Sequence, residues 1–150
     1  MPLLGKINCC QNDGEGGFDI RYNADGTDQN IAILIKSSND LECVIAGQSG
    51  GISHIGNKGW KHVVFTVTRS SSCTVNDIKL YIDGVQDTMS VDTSSGNTDV
   101  DINNTREFTI GTFYDTGAIT DFFQGAIDDV RVYNRILTTD EIKRLYNLGR

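Results

Sequence analysis

The chain has few basic residues, a single proline and no long apolar run. Its 13 Lys and Arg are outnumbered by 20 Asp and Glu, which gives a formal net charge of −7 over 150 residues. Nucleic acids and anionic membranes are bound through basic surfaces, so neither is an expected partner. No apolar run approaches the ~20 residues that span a bilayer. The first ten residues also lack the apolar core of a signal peptide.

The cysteines show no metal-binding pattern. None of the four belongs to a C-x-x-C pair, and neither histidine stands at zinc spacing from any of them. A bridge between Cys43 and Cys73 would suit an oxidising compartment, whereas adjacent Cys9 and Cys10 rarely bond to each other. Free thiols are the expectation.

What the chain does contain is typical of one globular all-β domain. Its hydrophobic fraction is 38%, and 16 glycines lie mostly in polar tracts between short apolar runs. The runs 31–35 and 41–46 predict a hairpin, and 61–68 (KHVVFTVT) predicts a strand with alternating faces. The run 78–82 ends at Asp83-Gly84, a dipeptide typical of a tight hairpin turn. The stretch 87–106 is long and polar and is expected to be a surface connection. These patterns predict an antiparallel β-sandwich.

The end of the chain predicts one short helix. Thr138 and Glu141 form a T-x-x-E capping box, and Asp140 lies in the first turn, where the helix dipole favours negative charge. Gly149 is placed to end the helix. An apolar stripe at i, i+3 and i+4 marks its buried side: Ile142, Leu145 and Tyr146.

Four segments together carry a family resemblance: WKHVVF (60–65), KLYIDGV (79–85), FTIG (108–111) and FQGAIDDVRVYNR (123–135). In order and spacing the chain resembles the laminin-G-like jelly-roll domains of the concanavalin A-like lectin/glucanase superfamily. The resemblance implies an all-β antiparallel sandwich with one C-terminal helix, a binding role, and a secreted or cell-surface location. It also implies that 1–150 is a single domain truncated at its N-terminus, because an F-D-G-x-D-D-Y-like segment does not occur. We expect a second copy, or the N-terminal segment folding back, to replace the missing strands.

Asp128 and Asp129 are the candidate metal ligands. Apolar residues change parity across this pair, since Ile127 falls opposite to Val130 and Val132 on an alternating strand. Such a slip is typical of a bulge, and bulges often direct carboxylates at a site. The resemblance places a calcium position near this segment in many members, so Ca²⁺ is the candidate cofactor. The alternative is that Asp129 pairs with Arg131 or Arg135 or holds a backbone turn.

The loop 112–122 (TFYDTGAITDF) is the candidate ligand site. Tyr114, Asp115 and Asp121 form a polar-aromatic group in a loop at one end of the sandwich, where such folds place function. An ordinary surface loop is the alternative interpretation. Trp60 is expected in the core, with sugar stacking as the alternative.

A non-catalytic binding module for carbohydrate or a protein surface is the predicted function, with calcium as a candidate assistant. Glucanases of this superfamily need paired carboxylates, carried as E-x-D-x-x-E, and that spacing does not occur in the sequence. Catalysis is therefore not expected, and a hydrolase of unrecognised type is the weakest alternative. A homodimer that completes its sandwich through exposed sheet edges is the other alternative.

Overall fold

The computed structural model describes residues 1–6, 16–23, 30–36, 42–47, 59–94, 104–115 and 118–149. Within these ranges eleven strands and one helix form. In chain order they are β1 Pro2–Lys6, β2 Gly17–Asn23, β3 Asn30–Lys36, β4 Glu42–Gly47, β5 Val63–Val67, β6 Ile78–Ile82, β7 Val85–Gln86, β8 Met89–Ser94, β9 Thr109–Ile110, β10 Phe113–Asp115, β11 Ala118–Thr120 and α1 Thr139–Leu148.

Two antiparallel sheets make the sandwich. The larger sheet has the order β8-β4-β3-β2-β1-β9, and the smaller has the order β5-β6-β7. A separate hairpin joins β10 to β11. The predicted fold class, an antiparallel all-β sandwich with one C-terminal helix, is confirmed. The predicted pairing of 31–35 with 41–46 is also confirmed, because β3 and β4 pair antiparallel; the turn between them lies outside the described residues.

The main core lies between the two sheets and follows the alternation of the strands. Val63, Phe65 and Val67 of β5 pack against it, as the pattern of KHVVFTVT predicted. Fully buried side chains of this size each contribute ~1.5–3 kcal/mol of hydrophobic free energy. The most buried members are Ile31, Ile33, Ile35, Ile45, Ile78, Leu80 and Ile82.

The turn between β6 and β7 has the predicted form. Asp83 and Gly84 both adopt positive φ angles, 52° and 78°, while Ile82 pairs with Val85 across the turn. Two consecutive positive φ angles are typical of a type I′ turn, whose twist matches that of the flanking strands. A methyl group at Gly84 would lie 3.2 Å from Cδ1 of Tyr146, so α1 packs directly over this turn.

Helix α1 covers the outer face of the smaller sheet. Thr138 and Glu141 make the reciprocal bonds of the predicted capping box. Ile142 is fully buried with Tyr81 and Leu137, and Leu145 packs beside them. The side chain of Tyr81 points away from the main core, so β6 is apolar on both faces and is buried between the larger sheet and the helix.

Three sequence expectations are wrong. Residues 87–106 were expected to be a polar connection, but β8 forms within them and contributes Met89 to the core. Trp60 was expected in the core and is 68% exposed. Cys73 was expected to be a free thiol, but it is disulfide-bonded and 6% exposed within the main core. Alternation alone does not fix which of two apolar positions faces solvent, nor which thiols meet in space.

The segment after β11 does not join a sheet. Residues 121–138 form no strand and join no ladder within the described chain, although their alternating apolar residues resemble a closing strand. No helix among the described residues is long and apolar enough to cross a bilayer.

Candidate binding surface

The predicted ligand loop, 112–122, is closed at its base by Gly111. The Phe123 amide donates to the Gly111 carbonyl oxygen at 2.8 Å, and the Gly111 amide donates to the Leu3 carbonyl oxygen at 2.9 Å. Gly111 has a φ of +70°, which glycine adopts without strain. The loop therefore leaves and re-enters the structure at one point, and that point is fixed to β1 of the larger sheet.

The loop itself is a hairpin whose backbone register is regular. Phe113 pairs with Thr120, Tyr114 with Ile119, and Asp115 with Ala118. The side chains of Tyr114 and Asp115 lie outside the described residues. Ile119 is 55% exposed, so the hairpin face that carries it is open to solvent.

Phe113 attaches this hairpin to the outer face of the larger sheet. Its side chain is 6% exposed, and the guanidinium carbon of Arg21 lies 5.4 Å from the centre of its ring. A cation over an aromatic face contributes about 0.5–2 kcal/mol, depending on how far the pair is removed from water. Arg21 in turn pairs with Asp19 on the same strand.

Asp19 is the most unusual polar residue of this surface. It is fully buried, and Oδ2 accepts from the Arg21 guanidinium while Oδ1 has no hydrogen-bond partner. Burial raises the pKa of its carboxyl group, and the charge and hydrogen bond of Arg21 oppose that rise only in part. A methyl group at Gly5, its partner on β1, would lie 3.3 Å from Oδ1.

The sequence held a signal for this arrangement. In F-D-I-R-Y, Phe18, Ile20 and Tyr22 pack on the main core, so Asp19 and Arg21 must lie on the opposite face of β2. Their partners on β3, Leu34 and Ala32, are also buried. The outer face of this sheet is therefore covered at these positions, with the Asp19 carboxylate buried and the Arg21 side chain one-third exposed. Sequence reasoning missed the pair because an outward-facing Asp or Arg is usually solvated.

Asp121 and Phe122 follow β11 and are exposed. Asp121 adopts a φ of +50°, a conformation that Asp tolerates better than most residues. Phe122 is 66% exposed, which is unusual for a ring that could otherwise bury a large apolar area. The end of the loop therefore displays a carboxylate and an aromatic ring next to each other.

The other predicted pair, Asp128 and Asp129, forms a local turn. Asp129 adopts a φ of +52°, and its amide donates to Asp128 Oδ1 at 2.8 Å. Its carboxylate accepts from the Arg131 guanidinium at 2.9 Å. The backbone departs from extended geometry where the apolar parity slips, and Asp129 makes the Arg131 pairing that was the alternative to a metal site.

The described residues do not complete a calcium site around this pair. Ca²⁺ takes six to eight oxygen ligands, and no group of three or more His, Cys, Asp or Glu side chains in the described ranges is placed to hold an ion. Both carboxylates already accept hydrogen bonds within their own turn. Calcium binding at this position stays a prediction.

A third polar group lies where β5 begins, beneath α1. Lys61 Nζ donates to Asp83 Oδ2 at 2.5 Å, and the His62 amide donates to Asp83 Oδ1 at 3.1 Å. The His62 ring lies 6.0 Å from the ring of Tyr146. Burial lowers the pKa of His62, and the nearby charges of Asp83 and Asp129 oppose this in part. These contacts hold the turn and the helix against the sheet.

Fold and surface together define a class: an antiparallel jelly-roll-type sandwich that presents a closed end hairpin. A family model described as the concanavalin A-like lectin/glucanases superfamily, of laminin G type, matches residues 5–143. The chain belongs to this family. No curated protein and no solved structure matches the chain.

Proposed function

We propose that the chain is a non-catalytic binding module for carbohydrate, with the β10–β11 hairpin and the adjoining Asp121 and Phe122 as its contact surface. The observation that carries the proposal is the exposed Phe122 ring beside the Asp121 carboxylate, at the end of a loop closed on Gly111. Aromatic rings pack against the apolar faces of sugars, and carboxylates accept hydrogen bonds from hydroxyl groups. Membership of a lectin and glucanase superfamily supports a glycan as the ligand.

The rigid attachment of the hairpin also supports binding. Phe113 and Arg21 join the hairpin to the sheet, and the backbone bonds of Gly111 fix its base. A preformed surface loses little conformational entropy when it binds. Loops held by a rigid scaffold are where such folds place function.

The absence of catalysis is part of the proposal. A glycosidase needs two carboxyl groups about 5–10 Å apart on either side of the scissile bond. The sequence lacks E-x-D-x-x-E, Asp129 is paired with Arg131, and Asp19 is fully buried. Each of these carboxylates is committed to a local contact.

Affinity electrophoresis in gels that contain polysaccharides, with and without Ca²⁺, tests the proposal. Retardation is expected on at least one glycan, and Phe122→Ala should reduce the affinity about five-fold or more, taking the ~1–3 kcal/mol that an aromatic side chain contributes by stacking on a nucleic-acid base as the scale. Asp121→Asn, which keeps a residue tolerant of the left-handed conformation, should weaken it less. Val85→Ala is the matched control, since Val85 is 59% exposed on β7.

The outcomes separate the alternatives. Retardation that needs Ca²⁺ would support calcium assistance. Equal retardation of Phe122→Ala and wild type would remove the hairpin as the contact surface. No retardation on any glycan, with either buffer, would reject the carbohydrate ligand.

A further inference from the structure

Cys73 has a covalent partner elsewhere in the chain. It is disulfide-bonded, and its side chain is 6% exposed within the main core. It lies in the connection between β5 and β6 of the smaller sheet. The chain has three other cysteines, Cys9, Cys10 and Cys43. The partner is one of these three, and their places in the larger sheet distinguish them.

All three candidates are associated with one end of the larger sheet. Two of them lie in the connection between β1 and β2, which is outside the described residues. β2 begins at Gly17, whose partner Lys36 on β3 pairs in turn with Glu42, the first residue of β4. Cys43 is the next residue of β4. That connection therefore re-enters the sheet at the end where Cys43 lies, and any of the three bonds brings Cys73 to this end.

The backbone register places only Cys43 on the core face of a strand. Cys43 lies directly opposite Ile35 of β3, and directly opposed residues of an antiparallel pair share a face. Ile45, two residues further along β4, has the same parity, and the β3–β4 ladder is unbroken across these positions. Ile35 and Ile45 are both buried in the core cluster that contains Cys73. The register therefore assigns Cys43 to the face of the larger sheet that Cys73 meets.

We propose that Cys43 and Cys73 form a buried structural disulfide that joins β4 of the larger sheet to the β5–β6 connection of the smaller sheet. In its formation each cysteine gives up its thiol hydrogen, one S–S bond forms, and the S–S bond of the oxidant is reduced to two thiols. The oxidant is a thiol–disulfide oxidoreductase of an oxidising compartment. A bridge that closes about thirty residues of chain restricts the unfolded state and so favours the folded sandwich.

The bridge is separate from the proposed contact surface. Arg21, which supports the hairpin, is level with Ala32 and Ala46 across three neighbouring strands. Arg21 lies on the outer face of the sheet, whereas Cys43 has the parity of the core face and lies nearer the other end of β4. The inference therefore does not depend on carbohydrate binding.

Peptide mapping of non-reduced protein tests the pairing. Free thiols are alkylated in denaturant before digestion, so that the bonds cannot exchange. Trypsin places the cysteines in three different peptides: 37–58 contains Cys43, 70–79 contains Cys73, and 7–21 contains the other two. Mass spectrometry should find 37–58 joined to 70–79, and reduction should separate them. Recovery of 70–79 joined to 7–21 would overturn the proposal.

Serine variants give an independent test. In Cys43→Ser, Cys73 should lose its partner and become alkylated. Cys9→Ser and Cys10→Ser are the matched controls, and in both Cys73 should stay protected from alkylation. The reverse pattern, with Cys73 alkylated in one of the controls and protected in Cys43→Ser, would refute the assignment. The map of the wild-type protein decides the question even where a variant does not fold.

Reduction kinetics test whether the bridge is buried. Because Cys73 is 6% exposed, dithiothreitol should reach the bond only when the sandwich opens. Loss of the joined peptides should be about ten-fold slower or more in native buffer than in denaturing urea, since thiol–disulfide exchange depends on access to the sulfur atoms. Equal rates in the two buffers would contradict a bridge within the core.

Discussion

Replacing Ile142 by Ala should destabilise the domain strongly, because Ile142 is the most buried of the side chains that attach the helix to the smaller sheet. Ile142 is fully buried against Tyr81 and Leu137. An Ile→Ala change at such a site costs about 2–5 kcal/mol through lost burial and the cavity left behind. Alanine's higher helix propensity returns at most about 0.7 kcal/mol. The expected net loss is about 1.3–4.3 kcal/mol of the 5–15 kcal/mol that a domain of this kind has.

At ~2–4 °C per kcal/mol for a chain of this length, the melting temperature should fall by about 3–17 °C. Leu148→Ala is the control in the same helix: the residue is 82% exposed, and a change of under about 0.5 kcal/mol is expected. Far-ultraviolet circular dichroism and the fluorescence of Trp60, the one tryptophan, should report the same transition if unfolding is two-state. Equal effects of the two substitutions would refute the placement of Ile142 as the helix anchor. An early loss of helix signal alone would show that α1 unfolds independently.

Three further outcomes are expected. Burial lowers the pKa of His62 below its ordinary 6.5, so as pH falls the unfolded chain binds this proton before the folded chain does. The free energy of unfolding should therefore drop as pH falls from 6.5 toward the lower pKa of the folded state. In chemical denaturation at pH 7 and pH 5, His62→Gln should show a smaller drop than wild type, and an equal drop would contradict the lowered pKa of His62. Reduction of the Cys73 disulfide should lower the free energy of unfolding by about 2–4 kcal/mol, and the melting temperature with it. Peptide mapping of the non-reduced protein by mass spectrometry should identify the cysteine bonded to Cys73. Recovery of Cys73 as a free thiol from that protein would contradict the bond. Gly84→Ala should cost about 1–2 kcal/mol of stability for its positive φ, and more because the new methyl group would contact Tyr146. Gly59→Ala has a similar φ and open space around it, so it should show the backbone cost alone. Equal costs of the two substitutions in urea denaturation would contradict the packing of Tyr146 over Gly84.

Local patterns predicted the parts of this fold that depend on local chemistry. The I′ turn at Asp83-Gly84 needs two positive φ angles, and the capping box at Thr138 needs two side chains three residues apart, so the sequence contains the whole requirement. The alternating core faces of β5 and β6 are also local, since a strand has a period of two. These elements needed no knowledge of what lies across the sandwich.

The expectations that were wrong depend on tertiary neighbours. The expectation that Trp60 is buried was wrong because nothing in its own segment determines what covers the start of β5. The segment 123–133 alternates like a strand, yet a strand becomes part of a sheet only when another strand lies within hydrogen-bonding distance. Cys73 is disulfide-bonded because the fold brings a second thiol to it, and spacing along the chain does not reveal that approach.

The candidate ligand surface likewise combines features that local sequence predicts with features that depend on tertiary neighbours. The composition of loop 112–122 predicted a candidate ligand site there. The contact that attaches the loop to the larger sheet comes from Arg21 of β2, about ninety residues earlier, which packs against Phe113. Burying the Asp19 carboxylate costs desolvation free energy, which the charge and hydrogen bond of the one-third-exposed Arg21 offset only in part. The Asp19–Arg21 pair holds the Arg21 guanidinium against the Phe113 ring. The pair therefore fixes the position of Phe113, and with it the angle at which the hairpin leaves the sheet. A pair with one buried member adds little net stability, and its contact with Phe113 supplies the fixed geometry that the proposed binding loop requires.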